Sequence, residues 1–293
     1  MRYAKGDRVR HPTRAVWGVG LVLEDSCDAK ARIFFEEAGE KTVSLSHVEP
    51  VIVSGAEADS LVLDNLKIDK RAVSVRYKSL NASIDYFLKE FPEGFQGARY
   101  KYHERNHKQE IRDAVQKQLA RSFYDDLLRA EDFSEVCSRA FKLTGVCANA
   151  MIFKNEKMAL RDGLKSESAQ RNFALSLYDV LHKEEDFDAS FDAFANCLTS
   201  LGAGKWTVAT YFPFFMNPER HMFVKPTITQ NAADICAFDI NYRPEINART
   251  YRSVLGFSQH IKQGIARLEP QDMIDVQSFM WCIAPGTYTA ADL

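Results

Sequence analysis

The string HERNH, residues 103–107, has residue types and a spacing that can bind a metal ion. On an α-helix, His103 and His107 would share one face and bind zinc, with Glu104 as a general base. The flanking positions are charged or polar, whereas a buried zinc helix favours uncharged neighbours. The acidic residues that follow as possible third ligands are Asp125, Asp126 and Glu131. Because so short a pattern often arises by chance, the sequence favours a solvated helix, and we expect no metal.

A second candidate site is the turn GAG, residues 202–204, which precedes an aromatic segment, residues 205–215. Glycine at both ends of the turn allows positive φ and a close approach of the backbone to another molecule. The helix predicted to begin there would present unpaired backbone N–H groups and the positive end of its dipole. Lys205 adds a positive charge, so the turn is a predicted phosphate site.

The string GAGKWTVATYFPFF, residues 202–215, resembles the hairpin of helix-hairpin-helix DNA glycosylases, above all of their alkyladenine branch. In that family a Gly-x-Gly-x-Trp-Thr-Ala pattern opens the helix that binds DNA. The string HMFVKPTITQNAA, residues 221–233, resembles the next part of the fold, where a short extended run ends in the catalytic aspartate. The resemblance covers residues 110–285 and implies a mainly α, helix-hairpin-helix glycosylase-like domain with DNA as its partner.

Two positions depart from the family pattern. Pro226 stands where the resemblance places the catalytic aspartate, and Trp206 stands where bifunctional members carry a lysine. Neither standard base excision nor lyase activity is therefore expected. Asp275 and Asp272 are the acids that could replace the missing aspartate. Their simpler interpretation is capping, because both lie near the start of the helix predicted over residues 270–282.

The resemblance also implies which side chains contact DNA and an extruded base. Since the last helix of that fold lines the base pocket, Gln277 and Trp281 would recognise and stack on a flipped base. Lys225 would pair with phosphate, although a lysine in a pocket can also attack a sugar carbon. The predicted DNA contacts are Gly202, Gly204, Lys205, Thr207, Lys225, Arg99, Lys101, Arg105 and Lys108.

Residues 94–121 form the most basic segment of the chain. Such a segment can follow a phosphate backbone, but a run of charges more often forms a solvated helix face. The net charge of −2 gives no overall attraction to nucleic acid, so DNA binding would depend on local patches.

The first 53 residues are predicted to form a small β-barrel. Short runs rich in β-branched and aromatic residues are separated by turns, and strands are expected over residues 6–11, 17–24, 31–35 and 41–45. The strings GDRVRHPTRAVWGVGLVLE and ARIFFEEAGEKTVSLSHVEPV resemble Tudor- or SH3-like domains. Such domains occur at the C-terminus of bacterial repair helicases and in transcription factors that contact RNA polymerase. The resemblance implies an adaptor that performs no chemistry.

The predicted organisation is the barrel over residues 1–53, a linker over residues 54–69 and a helical domain over residues 70–293. Apolar positions at three- and four-residue spacing predict amphipathic helices over residues 111–128, 132–143, 164–182 and 189–198. A content of 46% hydrophobic and 27% charged residues is typical of an ordered globular protein. The scattered cysteines favour reduced thiols, and the absence of a bilayer-length apolar run or signal peptide predicts a cytoplasmic protein.

These observations predict a DNA-binding protein of glycosylase-like fold that recognises modified or flipped bases without the standard aspartate. Its expected setting is DNA repair or defence against phage DNA. Two alternatives remain. One is a nonstandard DNA glycosylase that uses Asp275 or Asp272. The other is a scaffold that recruits RNA polymerase or a helicase through residues 1–53. No cofactor and no membrane partner are expected.

Overall fold

A computed structural model describes residues 2–27, 29–67, 77–146, 151–183 and 185–288. The chain divides into two compact units, one of Met1–Glu90 with Asn231–Ile240 and the other of Phe91–Gln230 with Asn241–Leu293. The end of the predicted linker and the start of the predicted helical domain, residues 68–76, lie outside the described residues.

Antiparallel strands form one sheet in the first unit, in the order β4-β3-β2-β1-β5. The strands are β1 Arg8–Arg10, β2 Val19–Val22, β3 Lys30–Phe35, β4 Gly39–Ser44 and β5 Val51–Ile52. Their β-branched and aromatic side chains suit a pleated sheet with one buried face. Val9, Ile33 and Phe35 are fully buried in its core. A Cβ at Gly20 would lie 2.6 Å from Ile33 Cγ2, so only glycine fits at this point of β2.

The described part of the predicted linker is folded and belongs to the first unit. Helix α1, Leu61–Asp64, follows Ser60, whose hydroxyl accepts a hydrogen bond from the backbone N–H of Leu63. Leu63 is buried against Val19 and Phe34 of the sheet. The loss of periodicity in this stretch therefore reflects one short helical turn, in which two adjacent apolar residues, Val62 and Leu63, are buried.

Helices account for most of the rest of the described chain. They are α2 Leu80–Glu90, α3 Ala98–Tyr100, α4 Asn106–Gln118, α5 Arg121–Arg129, α6 Phe133–Leu143, α7 Lys154–Gly163, α8 Glu167–His182, α9 Phe187–Ser200, α10 Trp206–Met216, α11 Pro226–Ile235, α12 Ala248–Gly264 and α13 Met273–Ile283. The prediction of a mainly α protein with a small β region at its N-terminus is thus confirmed. The single helix predicted over residues 111–128 is wrong, because Ala120 is extended, with ψ of 139°, and separates α4 from α5.

Helix α10 lies at the centre of the second unit. Each residue from Trp206 to Phe215 is buried, as expected for a helix that is apolar on all faces. It packs against α4, α8 and α9. The ring of Phe191 stacks on that of Tyr251 at 4.5 Å, which joins α9 to α12 beside this helix.

Between α3 and α4 the backbone forms a π-helical turn, Lys101–Arg105. A π turn adds one residue to a helical turn and is often found at functional sites. Here Glu104 and Arg105 at its end and Lys108 in the next turn are all buried. The most basic segment therefore directs two of its cations into the protein. Among the described residues, no helix is both long and apolar enough to cross a bilayer.

Candidate functional site

A cleft of about 220 Å³ opens in the second unit, lined by the π turn, the start of α4, the segment before α11, and α13. Its polar side chains are His103, Glu104, His107, Lys108, Lys225 and Gln277, and its apolar walls are Met151, Phe223 and Trp281. The cleft is smaller than the roughly 300–1,000 Å³ pockets that bind drug-sized molecules. It therefore suits a small group, such as one nucleobase or one sugar.

Lys225 lies in the cleft between two aromatic rings. Its Nζ is 4.5 Å from the ring centre of Trp281 and 5.1 Å from that of Phe153, distances at which a cation is attracted to the ring face. The preceding residue is fixed by a hydrogen bond of 2.9 Å from Val224 N to Thr210 Oγ1. Pro226 then begins α11, a position at which its missing N–H costs no hydrogen bond.

The Lys225 ammonium makes no hydrogen bond or ion pair with any other residue that the structure describes. Burial lowers the pKa of this amine below its usual value, and the positive charge of Lys108 lowers it further. Glu156 acts in the opposite direction. Its carboxylate, however, is already held by Thr207 Oγ1 at 2.8 Å and by Phe153 N at 2.9 Å. The amine thus faces the cleft as a cation that two ring faces and the nearby charge of Glu156 stabilise, with no carboxylate of the described residues in direct ion-pair contact.

Gln277 and Trp281 lie one turn apart on α13, and both line the cleft. Gln277 is 4% exposed, and within the described chain its buried Oε1 has no hydrogen-bond partner. Because a buried polar atom without a partner is costly, this amide is suited to a ligand that supplies the missing hydrogen bond. The indole of Trp281 offers a flat surface next to it.

Glu104 places a carboxylate in the same cleft. It accepts a hydrogen bond of 2.7 Å from Lys108 Nζ and another from the Tyr288 hydroxyl, and Lys108 also donates to Ser278 Oγ at 2.7 Å. Burial alone would raise the pKa of Glu104. The positive charge and hydrogen bond of Lys108, with the Tyr288 hydroxyl, outweigh burial and hold that pKa below its usual value. Glu104 is therefore ionised at neutral pH.

His107 contributes a neutral imidazole. Its Nδ1 is buried and has no partner in the described part of the chain. Burial, with the nearby charge of Lys108, lowers its pKa to about 4. His103 is exposed. Glu104 is engaged by Lys108, and among the described residues no three His, Cys, Asp or Glu side chains lie together as metal ligands.

Asp272 and Asp275, the two predicted catalytic acids, lie outside the cleft in a buried ionic cluster. Asp272 accepts hydrogen bonds from Arg105 at 3.0 and 2.8 Å. Asp275 accepts from Arg105 and from the Tyr100 hydroxyl, both at 2.6 Å, and from Gln271 N at 2.8 Å. Asp272 also caps α13 through Ile274 N, as the capping interpretation predicts. Because both carboxylates lie outside the cleft and are bound by Arg105, neither is placed to meet a substrate held there.

The predicted DNA contacts are divided among three environments. Gly202, Lys205 and Arg99 are exposed, and Lys101 and Gly204 are partly exposed. Lys225 and Lys108 lie in the cleft. Thr207 is buried and donates to Glu156, and Arg105 is buried against Asp272 and Asp275. Arg105, Lys108 and Thr207 thus have partners inside the protein, and for them the structure replaces the predicted phosphate contact with an internal one.

The hairpin between α9 and α10 is closed by two backbone hydrogen bonds, from Gly202 N to Thr199 O at 3.0 Å and from Ala203 N to Leu198 O at 2.9 Å. Gly202 has φ of +71°, as the sequence suggests. Gly204 is needed for a different reason, since a Cβ there would lie 2.7 Å from Thr199 Oγ1. Lys205 is the N-cap of α10 and makes no side-chain cap hydrogen bond, whereas Asp186 caps α9.

Residues 3–53 match the model of a family described as a protein of unknown function (DUF3553). The match covers the sheet and ends directly after β5, Val51–Ile52. No curated protein and no solved structure matches the chain.

Gln277, Trp281 and Lys225, three of the site residues that the sequence predicts, lie together in one cleft. The spacing of Glu104 and His107 indicates only a zinc helix, and nothing in it indicates that they share a cleft with side chains of α13. The signal in the sequence is the run of polar residues 103–108 within a segment whose apolar residues, such as Tyr100 and Ile111, must pack in the core. A π turn, which rotates these residues inward, could not be derived from their spacing.

Proposed function

We propose that this protein binds DNA through the α9–α10 hairpin and holds a modified or extruded base in the cleft beside Trp281. The observation that carries the proposal is the buried Gln277 Oε1, which has no partner among the described residues and lies in one cleft with Trp281 and Lys225. An amide can hydrogen-bond the edge of a base while an aromatic ring stacks on its face, which is how enzymes that act on flipped bases hold them.

The hairpin supports the DNA-binding part of the proposal. The N-terminus of α10 has no side-chain cap, and Lys205 is exposed beside it. Backbone N–H groups and a positive dipole end at such a terminus favour phosphate. Together with the hairpin, the mainly α unit is consistent with a helix-hairpin-helix glycosylase-like fold. The N-terminal sheet is in turn consistent with a Tudor- or SH3-like adaptor that binds protein, for which RNA polymerase and a helicase are our candidate partners.

A binding assay with labelled duplexes tests the DNA-binding part and the base-recognition part of the proposal separately. Lys205→Glu should weaken binding to every duplex, because it reverses a charge at the phosphate site. Trp281→Ala should leave undamaged DNA unaffected and reduce the preference for duplexes with a modified or mismatched base. Stacking of one base contributes about 1–3 kcal/mol, so the preference should fall roughly tenfold or more. Lys165→Glu, at an exposed lysine outside the hairpin and the cleft, is the control.

Two results would oppose the proposal. Binding that Lys205→Glu leaves unchanged would exclude the hairpin as the phosphate site. An equal preference for modified and unmodified duplexes in the wild-type protein, across alkylated, deaminated and hypermodified bases, would exclude base recognition.

Base excision by Glu104 is the second candidate, favoured by the ionised carboxylate in the cleft. A carboxylate can stabilise the positive charge that develops on the sugar as a base leaves. The sequence-based alternative assigns this role to Asp275 or Asp272, but both lie outside the cleft and are bound by Arg105. Scoring abasic sites after incubation with modified duplexes distinguishes the two functions. Excision predicts abasic sites with the wild-type protein and none with Glu104→Gln, whereas base recognition alone predicts none with either protein.

A further inference from the structure

We propose that a second cavity of this protein binds a small aromatic carboxylate. The cavity has a volume of about 300 Å³ and lies within the second unit, where α8 and α10 end and α9 begins, beside α12. A volume at the lower end of the range for ligand pockets suits a molecule of one or two rings. No residue that lines the cleft beside Trp281 lines this cavity, so the inference stands apart from the proposed function.

Stacked rings form one wall of the cavity. Phe187 and His221 both line it, and their ring centres are 4.6 Å apart with 29° between the planes. The ring of Tyr251, which is fully buried and does not line the cavity, lies 6.0 Å from that of Phe187. Because aromatic rings attract one another in offset stacks, a planar ligand can extend this arrangement into the cavity.

Aliphatic side chains and Met216 form the rest of the apolar lining. Met216 is the last residue of α10, and Leu181 lies in the last turn of α8. Val180, Pro213 and Leu255 complete this part of the lining. Burial of apolar surface against these side chains favours a ligand with an apolar body over a fully polar one, such as a free sugar.

Positive charge lies at the open side of the cavity. Arg220 and Lys183 line it and are exposed, and none of the described residues in the lining is acidic. Lys183 Nζ is already bound by Asp179 Oδ1 at 2.8 Å. These three side chains together carry one net positive charge, which matches a monoanion such as a carboxylate better than a dianion such as phosphate.

The turn after α10 positions Arg220. The backbone N–H groups of Arg220 and His221 donate to Asn217 O at 3.1 and 3.0 Å, which holds both residues beside the cavity. A guanidinium has five N–H donors in a planar fork that matches a carboxylate, so Arg220 can bind a ligand while it keeps contacts within the protein. The side-chain amides of Asn217 and Gln259, also in the lining, can donate further hydrogen bonds.

Methionine NMR tests the inference in the full-length protein, because Met216 lines this cavity and Met151 lines the cleft beside Trp281. The methionine methyl groups are isotopically labelled, assigned with Met216→Leu and Met151→Leu, and followed during a titration with benzoate. We expect a saturable shift of the Met216 resonance, with that of Met151 unchanged. Benzamide, which has nearly the same shape without the charge, should bind roughly tenfold more weakly or worse, because charge-assisted hydrogen bonds are stronger than neutral ones.

Arg220→Gln tests the recognition of charge. It should raise the Kd for benzoate roughly tenfold or more, since it removes the cation that pairs with the carboxylate. Arg129→Gln is the matched control, because Arg129 is an exposed arginine outside the cavity, and it should bind benzoate as the wild type does. Leu255→Trp, which fills the cavity with an indole, should abolish the Met216 shift. Because Arg220 is exposed, its replacement tests the site even if Leu255→Trp does not fold.

Any of four results would overturn the inference. They are the absence of a saturable Met216 shift, a shift that benzoate causes only at Met151, equal affinities for benzoate and benzamide, and equal affinities of the wild type and Arg220→Gln for benzoate. Recognition of a base in the cleft beside Trp281 would stand in all of these cases, since no DNA enters the experiment.

Discussion

The guanidinium of Arg105 binds the carboxylate of Asp272 through two hydrogen bonds of 3.0 and 2.8 Å, and both side chains are 5% exposed. The two residues are 167 positions apart in sequence. The same guanidinium also donates to Asp275 at 2.6 Å. Arg105 thereby joins the π turn to the start of α13, the two elements that carry Glu104 and Gln277 to the cleft.

Replacing Arg105 by methionine should destabilise the protein strongly. It leaves the buried Asp275 without its cation and Asp272 with only the more distant Arg112, at 4.0 Å, and removing one partner of a buried ion pair costs about 3–5 kcal/mol. The free energy of unfolding in urea measures the loss. Arg129→Met is the control, because its pair with Asp126 is exposed and should contribute under about 1 kcal/mol. Similar losses in the two variants would show that the buried cluster adds no stability.

His107 should make the folded state sensitive to mild acid. The folded protein holds the imidazole neutral, with a pKa of about 4, whereas the unfolded chain protonates it near 6.5. A depressed folded pKa means that the contribution is complete above pH 6.5 and is lost as the pH falls toward 4. In His107→Phe the urea midpoint should therefore fall less over this range than in the wild type. His103→Phe, at an exposed site, should follow the wild-type curve, and parallel curves for all three proteins would exclude this role.

Gly204→Ala should destabilise the hairpin even though Gly204 does not require positive φ. The added Cβ would lie 2.7 Å from Thr199 Oγ1 and 3.0 Å from Thr199 Cα, and such overpacking costs about 1–3 kcal/mol. Thermal unfolding should show a lower midpoint, partly restored by Thr199→Ala in the double variant. Gly256→Ala in α12 has open space around the new methyl and should instead stabilise by about 1 kcal/mol. A Gly204→Ala midpoint at or above that of the wild type would contradict the predicted clash.

Gln277→Leu should raise stability while it removes base recognition. The substitution replaces a buried amide whose Oε1 has no described partner, and an unsatisfied buried group costs about 1–3 kcal/mol. We expect a higher urea midpoint together with loss of preference for modified duplexes. Gln170→Leu provides the opposite case, because Gln170 Nε2 donates to Leu164 O at 3.0 Å and its removal should destabilise. Loss of stability in Gln277→Leu would mean that the amide is already satisfied.

The sequence was sufficient for features that depend on local pattern. Runs rich in β-branched and aromatic residues predict β1 to β4, and the aromatic run after the hairpin predicts the helix Trp206–Met216, because neighbouring residues determine both. Arg105 and Lys108 were assigned to the surface, since charged side chains are rarely buried without a partner. Their partners Asp272 and Ser278 lie on a distant helix, and a separation of 167 or 170 residues leaves no local signal.

The π turn at Lys101–Arg105 also affects how insertions and deletions in this gene segment would act. A π turn contains one residue more than an α turn, so deleting a single residue there would convert it into ordinary helix. Because the deletion removes the extra residue, the helical segments on either side would keep their orientations, and the side chains within the turn would be the ones that change direction. Glu104 and Gln277 would then no longer face the same cavity. A one-residue change of length at this point would thus alter the cleft more than most substitutions within it.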